Sequence, residues 1–370
     1  MTLKLLYIYT LNLDLMKNRL FSLAIMILGI SAFINCTDPN ESAVGTVNPA
    51  IQRNREVIVD ISNNVITKAY EVLNNNAISL QTSVAGLSVG NEPSLAAVKE
   101  AWRTTRSSWE QSGAFSYGPV GEGLDRAIDS WPVDIDSVNV ILNIPLPISV
   151  DTIKASSTTR GFHVIEYLVW GSDGQKTASD LTVKELEYLT AAATDLQNNT
   201  QLLFNGWAPL GGNFTGIFIS AGNNAIYPLQ KDALLEMTDG MIALAEEVAL
   251  FKIGNPLGDG VLLEESRLSN NTKQDLADNI QSIRNIYLGD LAGTDLKGLT
   301  NLVESDNIVL DTEIKAKIDI AIQAIDAIPN TFSQSLADNR PAIENAFAQI
   351  VALQTILQNE LKPFFEQFRT

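Results

Sequence analysis

The sequence predicts an all-α protein built of helical bundles, on three observations. Apolar residues recur at spacings of three and four along most of the chain beyond residue 48, the period of one helix face. Alternating runs that would mark strands are few, and Ile217-Phe218-Ile219 is too short to found a sheet. Breakers such as Gly211-Gly212-Asn213 and Gly254-Asn255-Pro256 cut the periodic stretches into helix-sized lengths. The length of 370 residues fits two domains or one large one.

An export segment precedes the helical body. Met16-Lys17-Asn18-Arg19 forms a positive n-region, with Met16 the preferred initiator. Leu20 to Phe33 is an apolar run, too short for a membrane span of about 20 residues and suited to a signal peptide. Cys36, the only cysteine, follows directly, then Thr37-Asp38-Pro39-Asn40. A cysteine at the end of such a run is where a lipid is attached after cleavage. Residues 1–36 are therefore expected to be a signal peptide with a lipobox cysteine, and 37–46 a tether. Asn35 departs from the small residue usual before that cysteine, and ordinary secretion is the alternative. Thr37 after the cysteine fits an outer-membrane destination, so the expected location is the cell envelope.

Periodic helical stretches follow from Asn48. Ile51, Val57, Ile58, Ile61, Val65, Ile66, Ala69, Val72 and Leu73 form one stripe, weakened at Asn74-Asn75-Asn76. Glu92-Pro93-Ser94 opens a second helix through Trp102 and Trp109, with proline tolerated in its first turn. Residues 113–123 are glycine-rich and irregular, and 131–158, with three prolines and no sustained period, read as a loop. Helical patterns resume at Thr159–Trp170, Val183–Gly206, Ala225–Phe251, Asn271–Tyr287, Glu313–Ala327 and Pro341–Phe368.

Net charge is −18. Lys4, Lys17 and Arg19 against Asp14 leave −20 on the chain beyond Cys36. Nucleic-acid binding, which needs a basic footprint, is excluded. Adhesion to anionic lipid is disfavoured except through the anchor. Acidity is compatible with cation binding, though solubility alone also explains it.

The chain has one histidine, His163. His163 and Glu166 are three apart and share a helix face. The flanking Phe162, Ile165 and Val169 make a second, apolar face, so the helix is expected to be buried. A buried glutamate must be paired, protonated or cation-bound. Either the two residues hold a metal, or His163 donates to a carbonyl while Glu166 pairs with Arg103 or Arg106. A third carboxylate converging on His163 would favour the metal, an arginine-paired Glu166 a dead site. A two-histidine zinc motif and cysteine-rich clusters are impossible here, and no G-x-S-x-G elbow, Walker loop or G-x-G-x-x-G occurs. A metal would be held by His163 and oxygens, a set that suits iron, manganese or zinc by ligand type, with geometry deciding.

Gly161-Phe162-His163-Val164-Ile165-Glu166 resembles the G-x-H-x-x-E signature of imelysin-like proteins. Further blocks fit in family order over roughly residues 50–290. They are Trp102-x-x-x-Arg106-x-x-Trp109-Glu110-Gln111-Ser112, Phe115-x-x-Gly118-Pro119, Trp131-Pro132, Lys252–Leu257, Glu265–Thr272 and Asn279–Gly289. The resemblance implies two helical bundles packed side by side, here expected at 47–206 and 207–370, with the His163 helix lining the cleft. It also implies an envelope lipoprotein linked to iron uptake, binding a metal or an iron-bearing ligand, with an outer-membrane iron transporter as partner. The family is classed as metallopeptidases. A hydrolytic zinc site needs three protein ligands and a base, and only two positions are visible, so binding is preferred over peptidase activity. A docking lipoprotein with a dead site is the third reading. The glutamate expected just before Ala114-Phe115 is Gly113 here, and Glu110 is the candidate replacement ligand. Candidate metal ligands are thus His163 and Glu166, with Glu110. Candidate ligand-binding positions are Gly161, Trp109, Arg106, Glu265, Arg267 and Ser269. Arg267 or Ser269 is expected to approach the His163 face across the cleft.

Overall fold

Helix α1 (Pro49–Asp60) starts at Asn48, whose side chain accepts from the Ala50 amide. A π turn, Ile61–Thr67, joins it to α2 (Lys68–Ala85). The computed structural model describes residues 48–370 apart from 292, 294, 295 and the side chain of 122; the expected signal peptide, Cys36 and the expected tether lie outside the described residues. Helix α3 (Glu92–Glu110) is capped by Asn91 and carries Pro93 in its first turn. Then follow α4 (Gly121–Asp129), α5 (Ile135–Leu142), α6 (Val150–Ile153), α7 (Phe162–Trp170) and α8 (Val183–Trp207). The second half holds α9 (Phe214–Ile219), α10 (Gln230–Glu246), α11 (Gly254–Asp259), α12 (Thr272–Leu288), α13 (Leu299–Asp306), α14 (Ile308–Asp326), α15 (Phe332–Asp338), α16 (Arg340–Ile356) and α17 (Lys362–Glu366). No strand occurs among the described residues, and none of their helices is long and apolar enough to cross a membrane.

Helix α2 packs between α3 and α8, and α7 packs on α3 and α8. In the second half α16 packs on α14 and α10, and α12 on α14 and α10. The halves meet where α3 packs on α12 and where the 3-10 turn Gly113–Phe115 packs on α10. Helix α1 crosses over to contact α9, α10 and α13. Buried apolar side chains run continuously through both halves, from Val57 to Phe365.

Three sequence expectations need correction. Residues 131–158 are not a loop throughout but contain α5 and α6. Each is only two turns or less, below the length at which a period shows. They are nucleated by caps, Asp134 accepting from Ser137 N and Ser149 from Thr152 N. The asparagine run at 74–76 does not weaken α2. Asn74 is buried against Gln201 and Thr200, and Asn76 donates to Ser108, so these amides bond to side chains on α8 and α3. Gly254-Asn255-Pro256 does not break the chain. A π turn, Glu247–Ile253, runs from α10 into α11, and the chain stays helical past Pro256 to Asp259.

Candidate functional site

Helix α7 begins at Gly161, whose φ is +84°. A Cβ there would lie 2.5 Å from the Ile128 carbonyl oxygen, so only glycine lets this helix start against the end of α4. The preceding residues are fixed by Tyr188 Oη donating to Thr159 O at 2.8 Å and by Arg160 paired through two nitrogens with Asp195. This close approach sets His163 beside Asp129, the last residue of α4.

His163 and Glu166 are each 1% exposed. His163 Nδ1 lies 3.2 Å from Glu166 Oε2. His163 Nε2 lies 3.1 Å from Asp129 Oδ1 and 3.2 Å from Glu265 Oε1. The other Glu166 oxygen accepts from the Ser269 amide at 2.8 Å and from Ser269 Oγ at 2.7 Å. Glu265 and Ser269 belong to the segment between α11 and α12, so the second half of the chain closes over the His163 helix. The Trp131 ring lies 5.2 Å from the imidazole, and Trp109 Nε1 donates to Asp129 Oδ2 at 2.7 Å.

Arg106, fully buried, is the hub of the surrounding charges. It pairs with Asp129, Glu110, Glu265 at 2.7 Å and Asp275 at 3.4 Å, with its guanidinium over the Phe162 ring. Lys252 pairs with Glu110 at 2.8 Å and with Glu265 at 3.3 Å. Asn279 Nδ2 donates to Glu110 Oε2 at 2.5 Å. The π turn places Glu247 and Lys252 on one cavity wall.

Burial and the Arg106 charge oppose protonation of His163, but bonds to Asp129, Glu166 and Glu265 outweigh them and hold the imidazole well above its ordinary value. Each ring nitrogen faces a carboxylate, Glu166 on Nδ1 and Asp129 with Glu265 on Nε2, which is the cause of that direction. Burial would raise Asp129 and Glu265. Arg106 and His163 hold Asp129 far below the usual range, and Lys252, Arg106 and His163 do the same for Glu265. Burial pushes Asp275 up to about 7. Burial acts against the Lys252 ammonium, yet Glu110, Glu265 and Glu247 keep it well above its ordinary value.

Two cavities flank these groups. One, about 370 Å³, is bordered by Trp109, Glu110, Gly113, Tyr117, Asp125, Lys252 and Asn279. The other, about 410 Å³, runs past Trp131, Pro132, Phe251 and Leu263 to Asp129 and Glu265. Asp125, Asp129, Glu247 and Lys252 border both.

His163 Nε2, Asp129 and Glu265 offer three donor atoms within 4.8 Å of one another. Neighbouring ligands about 2.1 Å from an octahedral metal lie about 3.0 Å apart, and the nitrogen-to-oxygen separations here are 3.1 and 3.2 Å. The residues fit one divalent ion, with Glu166 on the distal ring nitrogen as the orienting partner.

The structure thus brings Gly161, His163, Glu166, Glu265, Ser269, Arg106 and Trp109 together. Glu166 meets Ser269 rather than an arginine; Arg103 instead donates to the Ser269 carbonyl at 3.2 Å. Glu110 belongs to the Arg106 and Lys252 group, not to the three converging donors. Arg267 is half-buried, and its charge acts on Glu264. Gly113 borders the smaller cavity, where a Cβ would meet Leu244 at 2.8 Å. Sequence reasoning misses Asp129 and Asp275, and marks Lys252 and Asn279 only as members of family-order blocks, without a role in the site. The Trp131-Pro132 landmark two residues on was the one pointer to Asp129.

A family model described as Imelysin matches residues 66–357. Iron-regulated protein A of Synechococcus elongatus is 30% identical over 280 residues, covering 74% of this chain and 75% of that protein. A crystal structure from Parabacteroides distasonis, described as an iron-regulated protein A precursor, superposes with a TM-score of 0.77 at 27% identity, covering 87% of this chain and 97% of the other. An imelysin-like protein from Psychrobacter arcticum shares the fold with a TM-score of 0.69 at 12% identity, over 85% of this chain and 96% of the other. With its helical fold and its G-x-H-x-x-E helix at the centre of a buried charge cluster, the chain belongs to the imelysin family.

Proposed function

We propose that this protein is an envelope iron-handling binding protein that takes a divalent metal, or an iron-bearing ligand through its metal, at His163, Asp129 and Glu265. The observation that carries the reading is the convergence of two carboxylates on His163 Nε2 while Glu166 occupies Nδ1. One imidazole and two carboxylates suit iron or manganese better than zinc in a structural role. The cavity past Trp131 and Phe251 leads to Asp129 and Glu265. Kinship with iron-regulated proteins supports iron as the cargo.

Binding is favoured over peptide hydrolysis because Glu166, the natural candidate for a base, is held by Ser269 and His163. The order of n-region, apolar run and Cys36 supports a lipid anchor in the outer membrane, and an outer-membrane iron transporter is the partner this location suggests. Calorimetric titration with Fe(II) under anaerobic conditions tests the site. One equivalent should bind, and His163→Ala should abolish it. Equal binding by wild type and His163→Ala would overturn the reading. Mass spectrometry of the envelope-extracted protein should find a diacylated Cys36; an unmodified thiol would refute the anchor.

A further inference from the structure

Two oxygens are shared between His163 and Arg106 in this site. Glu265 Oε1 lies 3.2 Å from His163 Nε2 and 2.7 Å from Arg106 Nη2. Asp129 Oδ1 lies 3.1 Å from His163 Nε2 and also pairs with Arg106 Nη1. The guanidinium thus holds the same pair of oxygens that a cation on His163 needs. Its other two partners, Glu110 and Asp275, are not among the converging donors. Glu110 has an oxygen to spare, and Asp275, which also accepts from Ser266 and Asn271, can take a closer contact from the guanidinium. Glu110 Oε1 touches Arg106 but accepts no well-formed hydrogen bond, and the Arg106 Nε to Asp275 contact is long at 3.4 Å.

We propose that Arg106 is a tethered counter-cation of the metal site, yielding Asp129 and Glu265 to an incoming divalent ion, which also displaces the proton of His163 Nε2 to solvent, while Glu110 and Asp275 retain the guanidinium. This rests on the reading that His163, Asp129 and Glu265 hold that ion. In the metal-free state the guanidinium neutralises carboxylates that burial would otherwise penalise. A monovalent ion gains no charge by replacing it, whereas a divalent ion brings one more charge to the same oxygens. Lys252, 3.3 Å from Glu265 Oε2, keeps that carboxylate aimed at the site after the guanidinium has moved. The arrangement makes the metal exchangeable, as a carrier requires, at the expense of tight binding.

The test is calorimetric titration of the full chain, purified without chelator, with Mn(II) as a redox-stable probe. Wild type, Arg106→Gln, Asp275→Asn and His163→Ala are compared, with circular dichroism to establish folding. Removing a unit charge beside the ion should tighten binding in Arg106→Gln on the order of tenfold or more. Asp275→Asn removes part of the arginine's retreat and should weaken binding, although Asp275 is not a ligand. Arg106→Gln binding no more tightly than wild type, or Asp275→Asn binding no more weakly, overturns the inference while leaving His163-dependent binding intact. If Arg106→Gln does not fold, Asp275→Asn alone decides. Absence of His163-dependent binding in wild type and Asp275→Asn overturns the metal reading and the inference together.

Discussion

Arg106→Met, without metal, measures how much of the fold depends on the charge cluster. Arg106 is fully buried and contacts four carboxylates, on Glu110, Asp129, Glu265 and Asp275. Methionine fills much of the volume but leaves these groups without their shared cation, and Lys252 reaches only Glu110 and Glu265. Removing one partner of a buried ion pair costs roughly 3–5 kcal/mol. With an unfolding entropy of about 2.1 cal/mol/K per residue over roughly 320 residues, the melting temperature should fall by roughly 4–7 °C. Urea denaturation at pH 7 followed by circular dichroism, with calorimetry in parallel, reads both quantities. The cost should shrink when Asp129→Asn and Glu265→Gln are added, since neutral amides no longer need the cation. A loss below about 1 kcal/mol, the scale of a surface ion pair, would refute the claim that these charges are desolvated and mutually dependent.

Gly161→Ala forces a side chain into the left-handed region and against the Ile128 carbonyl. It should destabilise by roughly 1–3 kcal/mol from backbone strain alone, and displacement of His163 from Asp129 should appear as weaker metal binding in the same calorimetric titration. Ser269→Ala removes a hydroxyl bond to Glu166, which should cost about 1.5–3 kcal/mol by urea denaturation and weaken metal binding roughly 10–100-fold through the loosened imidazole. The pH dependence of the urea midpoint should peak on the acidic side of neutrality. His163 and Asp275 have raised values, so their stabilisation is full below their unfolded values and is lost as pH rises through the folded ones. Asp129 and Glu265 have depressed values, so theirs is present above the unfolded values and lost as pH falls. The Asp275 contribution should therefore be lost between about pH 4 and about pH 7 and that of His163 above about pH 6.5, while the contributions of Asp129 and Glu265 are lost below about pH 4, and a midpoint that rises steadily from pH 6 to 9 would contradict the upward direction for His163.

The long helices were legible because their apolar stripes persist over many turns. Glu92–Glu110 also carries a readable start, Pro93 in its first turn. The pairing of His163 with Glu166 was likewise legible, because three-residue spacing on one helix is a local property. Asp129 was not. It ends a nine-residue helix containing Gly121 and Gly123, and its role comes from Gly161 admitting α7 against that helix end. The roles of Lys252 and Asp275 were missed for a related reason. Their partners, Glu110 and Arg106, lie 142 and 169 positions away, and no periodicity encodes such pairings. The glycine and proline at 254 and 256 suggested a break because the sequence does not announce a π turn.

The central claim is that His163, Asp129 and Glu265 together hold one metal ion, and anomalous diffraction at the iron edge tests it most directly. Crystals grown without chelator and soaked anaerobically in Fe(II) should show one strong peak about 2.0–2.2 Å from His163 Nε2 and from one oxygen each of Asp129 and Glu265, with Glu166 still on Nδ1. No peak at His163, with Arg106 still holding both carboxylates at saturating iron, would contradict the account.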